Sequence, residues 1–184
     1  ALDVADSLRL TSITSYEGGQ QNLQQASDGS PLNLLNINWQ SRYRQFSQEL
    51  RANYDGNGVD LVAGLFYGWD RNVTDNTFNL PLPPDGGFFQ HYRQERRSYA
   101  VFAQADIDLT GALVLTLGAR YTTDKSRYED AHAYLFVGAL GQPETPIAST
   151  VPCAGVAGSC AYNPAARFAL GDTNHALTGR VALS

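Results

Sequence analysis

Residues 98–124, SYAVFAQADIDLTGALVLTLGARYTTD, decide the fold. Tyr99, Val101, Ala103, Ala105, Ile107 and Leu109 fall on one face of an extended chain, with Ser98, Gln104, Asp106 and Asp108 on the other. After the turn in DLTGA the same alternation returns, Leu113, Leu115, Leu117, Ala119 and Tyr121 opposing Thr116, Gly118, Arg120, Thr122 and Asp124. A period of two is the signature of a β-strand with one apolar face. Two such runs joined by a tight turn predict a hairpin. At about 3.3 Å per residue and a tilt near 40°, each apolar run covers roughly 20–25 Å of height, close to the apolar band of a membrane barrel. Tyr99 and Tyr121 are then expected at one rim, as an aromatic girdle requires.

Working outward, Phe46, Leu50, Ala52 and Tyr54 alternate with Gln45, Ser47, Glu49, Arg51 and Asn53. The turn DGNG precedes Leu61, Ala63, Leu65, Tyr67 and Trp69, a second hairpin on the same plan. Gln48 falls on the apolar face and breaks the pattern. Residues 8–17 read as a further strand and 176–184 as another, making about six, too few to close a bacterial membrane barrel of at least about eight strands. Turns after residues 54 and 108 are short, whereas 18–40, 71–96 and 125–175 are expected as long loops rich in Gly, Pro, Asn and Asp. Short turns at one end and long connections at the other characterise outer-membrane barrels.

Composition agrees. In 184 residues there are 17 Gly, 10 Tyr and 8 Phe with no Met, and runs of strong helix formers are missing. A net charge of -5 with dispersed Lys and Arg argues against a nucleic-acid partner. No stretch reaches the roughly 18–20 apolar residues of a membrane helix, a test that strands evade. ALDVADSLRL lacks a signal peptide's features, so the chain reads as processed or as an internal piece.

Several segments carry a family likeness. LTSITSYE, SDGSPLNLL, RQFSQELRA, VDLVAGLFYG, RRSYAVFAQADIDLTGALVLTLGARYTTDK and LTGRVALS, in this order, resemble successive barrel segments of TonB-dependent receptors. The resemblance implies an all-β, antiparallel, up-and-down transmembrane barrel segment, about six strands of a barrel of roughly 22. Residues 1–184 would be a partial barrel domain, with the plug and remaining strands absent. It further implies a bacterial outer-membrane receptor, not an enzyme, surrounded by outer-membrane lipid and energised by the TonB complex through the absent plug region. The transported ligand would be a ferric siderophore, or else cobalamin, haem or a glycan, with no covalently bound cofactor.

Candidate residues follow from this reading. The segment NLPLPPDGGFFQHYRQERR gathers Phe88, Phe89, His91, Tyr92, Arg93 and Arg96, with Arg97. Aromatic faces and guanidinium groups there would hold a flat anionic chelate, or else solvate the strand's extension and meet lipopolysaccharide. Tyr134, Phe136 and Phe168 are candidates on the same terms. Glu49, Arg51, Asp106, Arg120 and Arg180 are expected on a polar lumen-facing wall, and Tyr54, Trp69, Tyr99 and Tyr121 in the lipid-facing girdle. Cys153 and Cys160, in VPCAGVAGSC, would close a small disulfide loop in an oxidising compartment, or else stand as unrelated thiols. His91, His132 and His175 are far apart in sequence and lack metal-ligand spacing, and Asn72 in NVT matches a glycosylation sequon that a bacterial protein would not use. No nucleophile elbow or phosphate loop is present. Two other classes compete with the receptor reading: a passive porin or structural barrel, and a secreted, soluble β-sandwich that binds glycans.

Overall fold

Alternating side chains build one antiparallel sheet. The computed structural model describes residues 1–29, 31, 34–81, 86–137, 145–146 and 168–184. Its strands are β1 (Leu2–Ala5), β2 (Leu8–Ala26), β3 (Asn36–Gly56), β4 (Val59–Leu80), β5 (Gly86–Thr110), β6 (Leu113–Val137), β7 (Thr145–Pro146) and β8 (Phe168–Leu183). Each pairs with the next through β6, and both β7 and β8 pair with β6. The six long strands are the six read from the sequence; β1 and the two-residue β7 are additions.

Two short turns reverse the chain at one end. Gly58, with φ of 79°, supplies the left-handed backbone between β3 and β4 that other residues adopt at a cost. Gly111 and Ala112 join β5 to β6, where Thr110 pairs with Leu113.

At the opposite end the expectation of long loops over 18–40 and 71–96 does not hold. The β2–β3 ladder continues to Ala26 opposite Asn36, and the β4–β5 ladder to Leu80 opposite Gly86. These extensions carry no lipid-facing apolar band: their outer face holds Gln, Asn, Thr and charged residues, and their scattered apolar side chains, among them Leu23, Ile37, Trp39, Phe78 and Phe88, lie mostly on the inner one, yet their backbone groups are as well paired as those below. The third connection is likewise shortened, because β6 runs to Val137 and β8 starts at Phe168.

The register sorts the sheet into two faces. On the outer face, Leu8, Leu10, Leu50, Ala52, Leu61, Leu65, Val101, Ala103, Leu117, Ala119, Leu177 and Val181 form a continuous apolar band. Leu65, Leu177 and Val181 are 57%, 76% and 77% exposed, values that make sense for a surface solvated by lipid. Among the described residues only Ile37 and Ala100 are buried apolar side chains, and no second sheet covers the first. This is a wall, without the interior of a soluble sandwich.

Gln48 has its explanation here. It lies on the outer face beside Ser12 and Thr14, taking a hydrogen bond from Thr14 Oγ1 at 2.5 Å and giving one to Ser12 Oγ at 2.9 Å. Three polar side chains satisfy one another inside the apolar band.

Candidate functional site

Strand alternation divides the candidate segment between two surfaces. Phe88, Tyr92 and Arg96 lie on the inner face of β5, while Phe89, His91, Arg93 and Arg97 lie on the outer face. A single ligand inside a barrel cannot touch both sets.

The inner set meets residues that the sequence pattern does not single out. Phe88 stacks on Phe78 with ring centroids 4.0 Å apart and planes 12° apart, and Trp39 meets Phe78 edge-on at 5.5 Å. Below this aromatic tier, Gln21, Leu23, Trp39, Ser41, Asn72, Thr74, Asn76 and Tyr92 line a groove of about 370 Å³. Asn76 is only 3% exposed, and its Oδ1 has no hydrogen-bond partner among the described residues. No charged side chain lines the groove. Its amides, hydroxyls and aromatic faces suit a ring-bearing ligand that offers hydrogen-bond donors.

Toward the short turns the inner face carries charged side chains, Glu49, Arg51, Asp106, Arg120 and Arg180 among them. Arg96 Nε is 2.8 Å from Asp70, and Glu49 and Arg51 form an ion pair. Arg120 lies over two rings, its Cζ 5.5 Å from the centroid of Phe66 and 5.8 Å from that of Phe102. Asp106 accepts a hydrogen bond from Thr116 Oγ1 at 2.6 Å, and Arg180 stands opposite Gly118. Phe66 and Phe102 are hidden in the sequence among apolar strand residues; only their phase, opposite to that of Leu65 and Val101, betrays them.

The aromatic residues of the outer face occupy both borders of the apolar band. Tyr67 and Tyr99 are level, with centroids 5.3 Å apart, and Trp69 lies opposite Phe46. Tyr121 pairs with Val101, and Tyr99 with Thr123, so these two tyrosines are one diagonal step apart and not level. Tyr54 marks the other border, its ring against Gly56 beside the short turn.

The histidines are brought together more than their spacing suggests. His91 pairs with His132 across β5 and β6, with ring centroids 4.9 Å apart, because a bulge at Asp130, φ 54°, shifts β6 by one residue. His91 Nδ1 lies 2.6 Å from Asp75 Oδ1. His175 is on β8, within 3.1 Å of the Tyr121 hydroxyl. Among the described residues no cluster of three or more His, Cys, Asp and Glu could hold a metal ion. Asn72, the sequon residue, lines the inner groove. Tyr134 and Phe136 take strand positions opposite Phe89 and Gly87, and Phe168 opposite Ala131. Cys153 and Cys160 lie outside the described residues.

One antiparallel sheet with an uncharged apolar band on its outer face, aromatic borders and a polar inner face defines a segment of a membrane β-barrel wall. The chain belongs to the TonB-dependent receptor-like β-barrel family, whose model matches residues 2–159, and as such it is part of a bacterial outer-membrane protein. The family is one of receptors, not of enzymes. Among solved structures it is similar to the ferric yersiniabactin uptake receptor FyuA from Yersinia pestis, with a TM-score of 0.68 at 19% identity. That match covers 98% of this chain and 23% of FyuA, so the chain spans about a quarter of that receptor's length. No curated protein sequence matches it.

Proposed function

We propose that this chain is part of the barrel wall of an outer-membrane receptor that imports a scarce small molecule, a ferric siderophore, with energy delivered through TonB. Family membership supports the receptor, and the likeness to FyuA, a ferric yersiniabactin uptake receptor, supports the ligand class. The observation that carries the reading in this chain is the uncharged groove between Trp39, Asn72, Asn76 and Tyr92, placed on the inner face of the long-hairpin end. Ligand captured there would sit above the charged wall of Glu49, Arg51, Arg120 and Arg180. The contact with TonB would be made by a plug region outside residues 1–184, which make up part of the barrel domain.

The test is uptake of labelled ferric siderophores by cells producing the full-length receptor, with and without TonB. Uptake is expected to require TonB, with Trp39→Ala and Tyr92→Ala raising the half-saturating concentration roughly tenfold each. Uptake that persists without TonB would place the protein among passive barrels, and binding of a different ligand class alone would overturn the siderophore assignment.

A further inference from the structure

The bulge in β6 builds a titratable cluster on the outward side of the strands whose inward side forms the groove. Asp130 holds a φ of 54°, a left-handed backbone that aspartate adopts more readily than most residues but still at a cost. It turns His132 onto His91, ring centroids 4.9 Å apart, and brings its own carboxylate to the same pair. Both imidazoles are largely covered, at 19% and 18% exposed.

The four side chains form a row from β4 to β6. His91 Nδ1 lies 2.6 Å from Asp75 Oδ1, and His91 Nε2 lies 3.6 Å from Asp130 Oδ2. His132 Nδ1 lies 2.7 Å from the backbone oxygen of Asp130 and 3.7 Å from its Oδ1. Carboxylate and carbonyl oxygens only accept, so each Nδ1 carries the hydrogen it donates. In a neutral His91 the lone pair of Nε2 therefore faces the Asp130 carboxylate. A proton there turns repulsion into an ion pair and ties β4 to β6 through one ring. The other charged groups beside the row are Arg42 on β3, 3.4 Å from Asp75 Oδ2, Arg93 on β5, and Glu129 on β6, which Arg93 and Arg127 both hold. Those cations are engaged with Asp75 or Glu129.

Sequence neighbours of the row line the groove. Asp75 stands between Thr74 and Asn76, and His91 stands next to Tyr92. Because successive side chains of a strand point to opposite faces, a tie between the outward ones restrains the backbone that carries the inward ones.

We propose that His91 is a positioning residue for the groove: when charged it bridges Asp75 and Asp130, stiffens the groove walls, and makes the groove bind more tightly in mild acid than at neutral pH. The contact exists only in the charged form, so it is gained as pH falls and lost as pH rises. A stiffer site gives up less freedom on binding. The effect on binding rests on the groove being the ligand site, whereas the bridge itself does not.

The experiment uses purified full-length receptor in detergent at about pH 7.5 and about pH 5.5, a range in which imidazoles change charge and ordinary carboxylates do not. Hydrogen exchange without ligand is read as protection factors at Thr74 to Thr77 and Gln90 to Tyr92, and equilibrium binding of a neutral ferric tris-hydroxamate is read on the same samples. The unaltered receptor is expected to show about threefold greater protection and about threefold tighter binding at the lower pH. His91→Gln and Asp130→Asn should abolish both increments, and His132→Gln should keep them. Asparagine also adopts the left-handed backbone, so Asp130→Asn removes the charge and leaves the bulge. Equal protection at the two pH values in the unaltered receptor, or an undiminished rise in Asp130→Asn, overturns the proposal. A rise in protection with unchanged affinity overturns the coupling to the groove. Should the receptor bind none of the chelate at either pH, the groove reading fails for that ligand and protection alone decides the bridge.

Discussion

The ring of Phe102 covers Gly64 on the adjacent strand so closely that a Cβ there would lie 2.4 Å from the ring's Cζ. The backbone oxygen of Leu50 would be 2.7 Å from the same atom. Glycine is required at this point because a ring and a neighbouring strand both occupy the space. Gly64→Ala is therefore expected to destabilise the full-length barrel by about 1–3 kcal/mol, read as a lower midpoint for loss of β-sheet circular dichroism. Adding Phe102→Ala should recover only part of the loss, since the Leu50 carbonyl cannot move aside. Full recovery would mean that the ring alone sets the constraint.

Arg120 spans Phe66 and Phe102, and that contact should appear as coupling. Arg120→Met with Phe66→Leu, measured singly and together in denaturant, should give an interaction energy of about 0.5–1 kcal/mol. Additive effects would leave Arg120 as a solvated lumen charge.

Gln48 with Thr14 and Ser12 tests polar satisfaction inside the lipid-facing band. Gln48→Leu alone strands two hydroxyls and should cost about 1–3 kcal/mol, whereas Gln48→Leu with Thr14→Val and Ser12→Ala should cost less than the single change. A triple variant worse than the single one would mean that the three do not act as a unit.

Sequence discloses a strand here only where the two faces differ. Tyr99 to Leu109 and Leu113 to Tyr121 announce their strands because one face is apolar and the other is not. Beyond the band the alternation is lost: Gln20 to Gln25 and Asn72 to Thr77 are polar on both faces apart from Leu23 and Val73, so continuous strands read as loops. A subtler signal is present in β3, where the apolar phase moves from Phe46, Leu50 and Ala52 to Ile37, Trp39 and Tyr43. That flip turns the aromatics from the outer face to the inner one and marks the groove. The meeting of His91 with His132 has no such trace, because it depends on the left-handed backbone at Asp130. Phe88 and Phe89, neighbours in sequence, can be separated only by knowing that the strand continues through them.

The cluster on the hairpin extension predicts an acid response. Glu129 is held below the usual carboxylate value of 4.5, first by its hydrogen bond to Arg93 and then by the charges of Arg93 and Arg127 acting against desolvation. A carboxylate depressed in the folded state contributes stability that is present above 4.5 and lost as pH falls through its lower folded value. Hydrogen exchange of β5 and β6 amides around Arg93 should therefore accelerate below that pH. Glu129→Gln should remove this acid step and leave faster exchange at neutral pH. An unchanged step in the variant would assign it to other carboxylates.

In the outer membrane the short turns of this wall are expected to face the periplasm and its long-hairpin end the cell exterior, and labelling of intact cells reads that orientation. In full-length receptor with Cys153 and Cys160 replaced by Ser, single cysteines at Leu80, Leu65 and Asn57 are exposed to a membrane-impermeant thiol reagent. Leu80→Cys is predicted to react in intact cells, Leu65→Cys under no condition that preserves the membrane, and Asn57→Cys only once the outer membrane is permeabilised. Labelling of Asn57→Cys from outside, or of Leu65→Cys as readily as Leu80→Cys, would contradict that orientation.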